Sequence, residues 1–218
     1  DAQNDQIRIH HNHIAQNGNT NGTGGGISLH VGADAYDVQK NWICGNFSKG
    51  NGGGIAHFGR SNGGLIEDNH IIFNEIFNQM PGTAPSGAGV FIGGQPALQT
   101  ATNTGLMLSS GTGNVTVDAH IVRGNLAGAG DGSAIRVDTA NGLDVDRSLD
   151  ARGPWYNVNV FNNMMDNNVA GVAGAISVSD SLEVVIRNNT VANNDSTATG
   201  SQAFDIANPN LSIPQPAG

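Results

Sequence analysis

The sequence predicts an all-β solenoid of about six stacked coils, and three observations predict it. The 218-residue chain holds 32 glycines and 28 asparagines. Helix interiors disfavour both, glycine through backbone entropy and asparagine because its side chain competes for backbone hydrogen bonds, so a helix bundle is excluded. An asparagine-spaced unit recurs along the chain, and each copy is followed by a small-residue turn and a short alternating apolar strand. A coil that cannot bury its own apolar face must stack on copies of itself.

The unit opens with an apolar residue, then a first asparagine slot three residues later, held by Asn12, Asn41, Asn69, His120, Asn163 and Asn189. Five residues further on, a second slot holds Asn17, Asn46, Asn74, Asn125, Asn168 and Asn194. Before the first slot stand Ile9, Val38, Ile66, Val117, Val160 and Ile186, and between the slots Ile14, Ile43, Ile71, Val122, Met165 and Val191. The second half of each unit starts at Gly26-Ile27, Gly54-Ile55, Gly89-Val90, Ala134-Ile135, Ala175-Ile176 and Ala203-Phe204. First-slot spacings of 29, 28, 51, 43 and 26 residues give a basic coil near 27 residues, long enough for three short strands and tight corners.

Asparagine tolerates left-handed backbone, which suits a corner. Stacked asparagines can pass amide hydrogen bonds along the axis, as in cross-β stacks; His120 is expected to do so only in part. Ile9, Ile14, Ile27 and Leu29 begin the apolar files of the interior. Six coils at the ~4.8 Å strand spacing make a column roughly 30 Å tall.

Composition narrows the function. A charged content of 12% and a formal charge of −9 repel phosphate backbones and anionic lipid, which argues against nucleic acid and membrane surfaces as partners. No apolar run approaches the ~20 residues that cross a bilayer, so membrane insertion is not expected. The single Cys44 excludes an internal disulfide framework and a cysteine-based zinc cluster. One β-solenoid domain is expected over 1–208, with Pro209, Pro214 and Pro216 marking an extended exit over 209–218. Solenoid ends need covering. Asp1 to Gln6 are too few to do so, which leaves preceding coils or a partner chain or domain for the N-terminal end.

The Asn-x-Ile-x-x-Asn pattern of Asn12 to Asn17, repeated from Asn41 and Asn69, resembles that of the right-handed parallel β-helices that include pectate-lyase-like proteins. The resemblance covers roughly residues 7 to 206. It implies a right-handed, three-sided parallel β-helix, here with two or three loop insertions. The family includes polysaccharide lyases, hydrolases, epimerases, phage tailspikes and adhesins, so fold alone does not give activity. The Gly-Gly-Gly-Ile and Ala-Gly-Ala-Ile turns look like those of bacterial surface and autotransported proteins. The expected function is a non-enzymatic module of a larger secreted or surface-associated protein: a spacer, adhesin or assembly unit, with carbohydrate binding as one use. The alternative is a polysaccharide-active enzyme, a lyase, hydrolase or epimerase, that works in a groove near Arg136 and Asp138.

That groove is placed by the insertions, which in solenoids gather on the binding face. Residues 79–86 lengthen the corner before the Val90 strand, and about 93–114 and 139–157 the corner after it. The expected floor is the outward set Ser28, His30, Ala56, Phe58, Phe91, Arg136, Asp138, Ser177, Ser179 and Asp205, with Trp155 and Tyr156 near the base of the last insertion either stacking on a sugar or, in the simpler reading, closing the loop onto the column. Arg136, Asp138 and Asp205 are the catalytic candidates, because this chemistry needs carboxylates and a basic residue converging on substrate. The simpler reading of Arg136 and Asp138 is a surface ion pair.

No cofactor is expected apart from calcium at Asp144, Asp146 and Asp150, whose spacing is that of a loose calcium loop without the glycine and distal glutamate of an EF-hand. His10, His11 and His13 alternate in direction and read as solvated imidazoles rather than as a zinc or copper site. The outward row His13, Trp42, His70, Ile121, Met164 and Thr190 is a candidate contact surface. His57 is expected to point inward.

Overall fold

The computed structural model describes residues 4–77, 85–94, 111–142 and 155–197. Among them there are 22 strands and no helix. Every strand pairing is parallel. The first coil comprises β1 (Arg8–His10), β2 (His13–Ala15), β3 (Gly18–Asn19) and β4 (Ile27–His30). The second repeats it as β5 (Asp37–Gln39), β6 (Trp42–Cys44), β7 (Phe47–Ser48) and β8 (Ile55–Phe58). The third is β9 (Gly64–Glu67), β10 (His70–Ile72), β11 (Glu75–Ile76) and β12 (Val90–Gly93). The fourth has β13 (Val115–Asp118), β14 (Ile121–Arg123) and β15 (Ile135–Asp138), with a single-residue bridge at Leu126. The fifth is β16 (Val158–Phe161), β17 (Met164–Asp166), β18 (Val169–Ala170) and β19 (Ile176–Ser179). The last described coil adds β20 (Val184–Arg187), β21 (Thr190–Ala192) and β22 (Asp195–Ser196).

Equivalent strands stack coil on coil. One six-stranded sheet runs β1-β5-β9-β13-β16-β20, a second β2-β6-β10-β14-β17-β21, and a five-stranded sheet β4-β8-β12-β15-β19. The two-residue strands form a fourth, narrower stack that passes through Leu126. A complete coil therefore has four strand positions where three are expected from its length. The extra one arises because the chain stays extended for two residues past the second asparagine before the glycine-rich turn.

Register keeps each apolar file vertical: Ile9 lies against Val38, Val38 against Ile66, Ile66 against Val117, Val117 against Val160 and Val160 against Ile186. Val38, Ile66, Val117 and Val160 are fully buried, as are Ile43, Ile71, Val122 and Met165 in the second sheet and Ile55, Val90 and Ile135 in the third. Burial at ~1.5–3 kcal/mol per such side chain is the main drive to stack. Beside the narrow stack the interior is lined by small groups, with Ala88, Ala127 and Ala170 packed on Ile76.

The left-handed backbone expected at the asparagines falls one residue earlier. His11, Lys40, Asp68, Ala119, Asn162 and Asn188 precede the first slot, and Gln16, Gly45, Phe73, Gly124, Asn167 and Asn193 the second, all with φ between 51° and 65°. Ten of these are not glycine; Asp68 and the four asparagines tolerate the geometry, while His11, Gln16, Lys40, Phe73 and Ala119 each carry a steric cost of roughly 1–2 kcal/mol. The amide bonds made by the next residue hold the corner against it. Close approach explains glycine where it is needed: a Cβ on Gly53 would lie 2.7 Å from the Ala88 carbonyl oxygen and 2.8 Å from that of Glu75.

Candidate functional site

The most regular constellation is the pair of amide files. In the first, the backbone N–H and Nδ2 of Asn12 both donate to Asn41 Oδ1 at 3.0 Å, and those of Asn41 to Asn69 Oδ1 at 2.9 Å. Asn163 donates likewise to Asn189. In the second file, Asn17, Asn46, Asn74, Asn125, Asn168 and Asn194 are joined step by step in the same way. From the second coil on, each Nδ2 also donates back to a carbonyl of the preceding coil, as from Asn41 to Ile9 and from Asn74 to Ile43. Buried asparagines are tolerable because these bonds satisfy them.

His120 fills part of the asparagine role, with Asn69 Nδ2 turning to the Val38 and Glu67 carbonyls and the bond to Asn163 made by the His120 backbone N–H. Its Nδ1 accepts the Asn69 N–H at 2.9 Å, and its Nε2–H donates to the Ile66 carbonyl at 3.1 Å. This assigns the neutral Nε2–H tautomer. Burial lowers its pKa to about 4 against the favourable pull of those backbone bonds. His57 points inward and is buried; its Nδ1 accepts from the Tyr36 hydroxyl at 2.8 Å and its Nε2–H donates to the Thr112 carbonyl at 3.0 Å. Burial lowers its pKa to about 4 and raises that of Tyr36.

A third file escapes the sequence pattern. The Asn62 N–H donates to Asp34 Oδ1 at 2.7 Å, Asn114 N–H to Asn62 Oδ1 at 3.0 Å, and Asn157 N–H to Asn114 Oδ1 at 2.9 Å. Its direction is opposite, from later coil to earlier. The signal available was an Asp or Asn six or seven residues before Asn41, Asn69, His120 and Asn163.

On the outward face of the five-stranded sheet the candidate catalytic residues meet a partner that spacing did not suggest. Arg136 reaches Asp131 Oδ2 at 3.2 Å and Asp138 Oδ1 at 3.7 Å, and donates to Ser177 Oγ. Its side chain is only 11% exposed, so this is no solvated surface pair. Burial raises the Asp131 and Asp138 carboxyls above the usual range, Arg136 pulls both down, and Asp180 pushes Asp138 further up. One guanidinium thus lies between two half-buried carboxyls. Asp205 and the calcium candidates Asp144, Asp146 and Asp150 lie outside the described residues.

The groove floor is only partly open. His30 is exposed, with Nε2 2.9 Å from Ser28 Oγ, and Phe58 is half-buried beside it. Phe91 and Ala56 are buried, contrary to their expected place on an open floor. Phe91 leans over Gly93, where a Cβ would come 2.3 Å from the ring, and stacks on Phe58 at 6.3 Å. Tyr156 packs on the column rather than standing free: its hydroxyl accepts from Arg60 Nε at 2.9 Å, and its N–H donates to Asn141 Oδ1. Trp155 is half-buried next to it.

His13, Trp42, His70, Ile121, Met164 and Thr190 are in register along the second sheet. Trp42 and His70 stack at 4.9 Å, so their ring faces meet each other. Among the described residues no group of three or more His, Cys, Asp or Glu could hold a metal ion. No family model matches the chain, and no curated protein or solved structure matches it. The site must therefore be read from its own chemistry.

Proposed function

We propose that the chain forms a closed, right-handed parallel β-helix of the pectate-lyase-like kind, its three broad sides joined by the narrow two-residue stack at one corner, and serves as a non-enzymatic module of a larger secreted or surface-associated protein. Right-handedness follows the strong preference of parallel strand crossovers. The observation that carries the functional reading is the state of Arg136. Its guanidinium is engaged by Asp131, Asp138 and Ser177 and is largely withdrawn from solvent. A catalytic arginine or base needs to be free to meet substrate. By contrast, the two six-stranded sheets and the second asparagine file run without a break through every described coil, which is the property of a spacer or an assembly unit.

The specific observation that favours a polysaccharide-active enzyme is the pair of raised carboxyls flanking Arg136, since a carboxyl held above its usual range suits general acid catalysis. Incubation with a panel of uronic-acid and neutral polysaccharides separates the two readings. A structural module turns over none of them; turnover that Arg136→Ala or Asp138→Ala abolishes would establish the enzyme.

A further inference from the structure

The chain contains five Asn-Gly pairs, beginning at Asn17, Asn21, Asn51, Asn62 and Asn141. In such a pair the glycine nitrogen can attack the asparagine side-chain carbonyl, because no Cβ on the glycine stands in its way. The reaction needs two freedoms. The carboxamide must swing over the peptide that follows it, and the glycine N–H must be able to give up its proton. Hydrogen bonds to either group remove them.

Three of the pairs have lost both freedoms. Asn51 Oδ1 accepts the Ser86 N–H at 2.7 Å, while the Gly52 N–H donates to the Ser86 carbonyl at 3.1 Å. Asn62 Oδ1 accepts the Asn114 N–H at 3.0 Å, and the Gly63 N–H donates to the Asn114 carbonyl at 2.9 Å. Asn141 Oδ1 accepts the Tyr156 N–H at 2.7 Å, its Nδ2 donates to the Leu182 carbonyl at 3.0 Å, and the Gly142 N–H donates to the Thr139 carbonyl at 2.8 Å. Asn17 is held through its side chain, with Nδ2 donating to Asn46 Oδ1 at 3.0 Å.

Asn21 keeps both. It is exposed, in a bend clipped by Asn19, whose Oδ1 accepts the Asn21 backbone N–H at 3.0 Å and whose Nδ2 donates to the Thr23 carbonyl at 3.1 Å. Among the described residues the Asn21 carboxamide has no hydrogen-bond partner and the Gly22 N–H has no acceptor.

We propose that Asn21 is a site of spontaneous modification, at which the chain deamidates itself with water as the only co-reactant. The Gly22 nitrogen, its proton lost to solvent, bonds to Asn21 Cγ; the Cγ–Nδ2 bond breaks, and Nδ2 leaves as ammonia after taking up a proton from solvent. Water then opens the succinimide ring at either carbonyl, giving aspartate or isoaspartate. Both products add a negative charge to the turn. Isoaspartate also places one more carbon in the main chain just ahead of Gly22, whose carbonyl accepts the Gly50 N–H and the Ser48 hydroxyl, both at 2.8 Å. The modification therefore loosens the link between the glycine turns of the first and second coils. It goes beyond the structural-module reading and does not depend on it.

Peptide mapping by mass spectrometry of the folded chain, aged in mildly alkaline buffer with circular dichroism to confirm folding, reads each pair in turn. The peptide carrying Asn21 is expected to deamidate first and that of Asn17 next. Those of Asn51, Asn62 and Asn141 are expected to react at least about tenfold more slowly than Asn21, since each pair must open before it reacts. The same chain aged in urea is expected to lose this ranking, because every pair then has the same glycine neighbour and no partner. In the aged folded chain the Gly50 N–H is expected to exchange faster with solvent. A folded chain in which Asn21 reacts no faster than Asn51, Asn62 and Asn141, or a ranking that urea leaves unchanged, overturns the proposal.

Discussion

His120 Nδ1 accepts the backbone N–H of Asn69 while its Nε2–H donates to Ile66, so one imidazole takes two of an asparagine amide's inter-coil roles, and the onward link to Asn163 is made by the His120 backbone N–H. It fills them only while neutral. Protonation would place a charge and a second N–H where Asn69 needs an acceptor.

Acid should therefore weaken the fold through His120 and His57. Both have folded pKa values of about 4, below the ordinary 6.5. Between those values the unfolded chain takes up protons that the folded one does not. Their contribution is complete above pH 6.5, is lost as pH falls toward 4, and changes no further below it, at about 3 kcal/mol per group. Asp131 and Asp138, raised on folding, act in the opposite sense. Urea unfolding midpoints between pH 7 and 4 check this; a flat profile contradicts it.

Replacing His120 separates shape from charge. His120→Asn restores a uniform file and is expected to be neutral or stabilising, with a shallower pH profile than the wild type. His120→Leu leaves the Asn69 N–H and the Ile66 carbonyl without partners and is expected to cost about 2–5 kcal/mol. Denaturation of both variants at pH 7 and pH 4.5 reads the difference.

Position along the file should set the cost of losing an amide. Asn74→Ala takes from the Asn46 N–H its acceptor, from Asn46 Nδ2 one of its two acceptors, and from the Ile43 carbonyl the Asn74 donor, all within the column, and is expected to cost about 3–5 kcal/mol. Asn12→Ala, at the exposed end, is expected to cost under about 1 kcal/mol. Equal losses in thermal or urea unfolding would show that the files do not act as vertical networks.

Much of this architecture is legible in sequence because its repeat forces the same residue type into the same environment. The inward files and both asparagine files follow from spacing alone, since a slipped coil would bury the wrong residues. The left-handed corner was not legible. It sits on residues as unlike as Lys40, Ala119 and Phe73, because the neighbouring amide holds the corner and the side chain there has no say. Asp131 was missed as the partner of Arg136 because it lies in the turn before the strand, where alternation gives no direction. Phe91 was misjudged for a related reason: alternation says which way a side chain leaves the sheet, not that Gly93 lets it fold flat.

Glycine in the turn is expected to be obligatory where coils touch. Gly53→Ala would place a methyl within 2.9 Å of backbone atoms of Ala88 and Glu75, and backbone cannot move aside as a flexible side chain would. An expected cost of about 1–3 kcal/mol is measurable by thermal unfolding. No change would mean that the coils are further apart than described.

Hydrogen exchange of the side-chain carboxamides, followed residue by residue by NMR, addresses the vertical files most directly. The buried members Asn41, Asn46, Asn69, Asn74, Asn125, Asn163 and Asn168 are expected to exchange orders of magnitude more slowly than the exposed Asn4 and Asn21. If all of these carboxamides exchanged at the rate of a free peptide, the column would not be held by its asparagines.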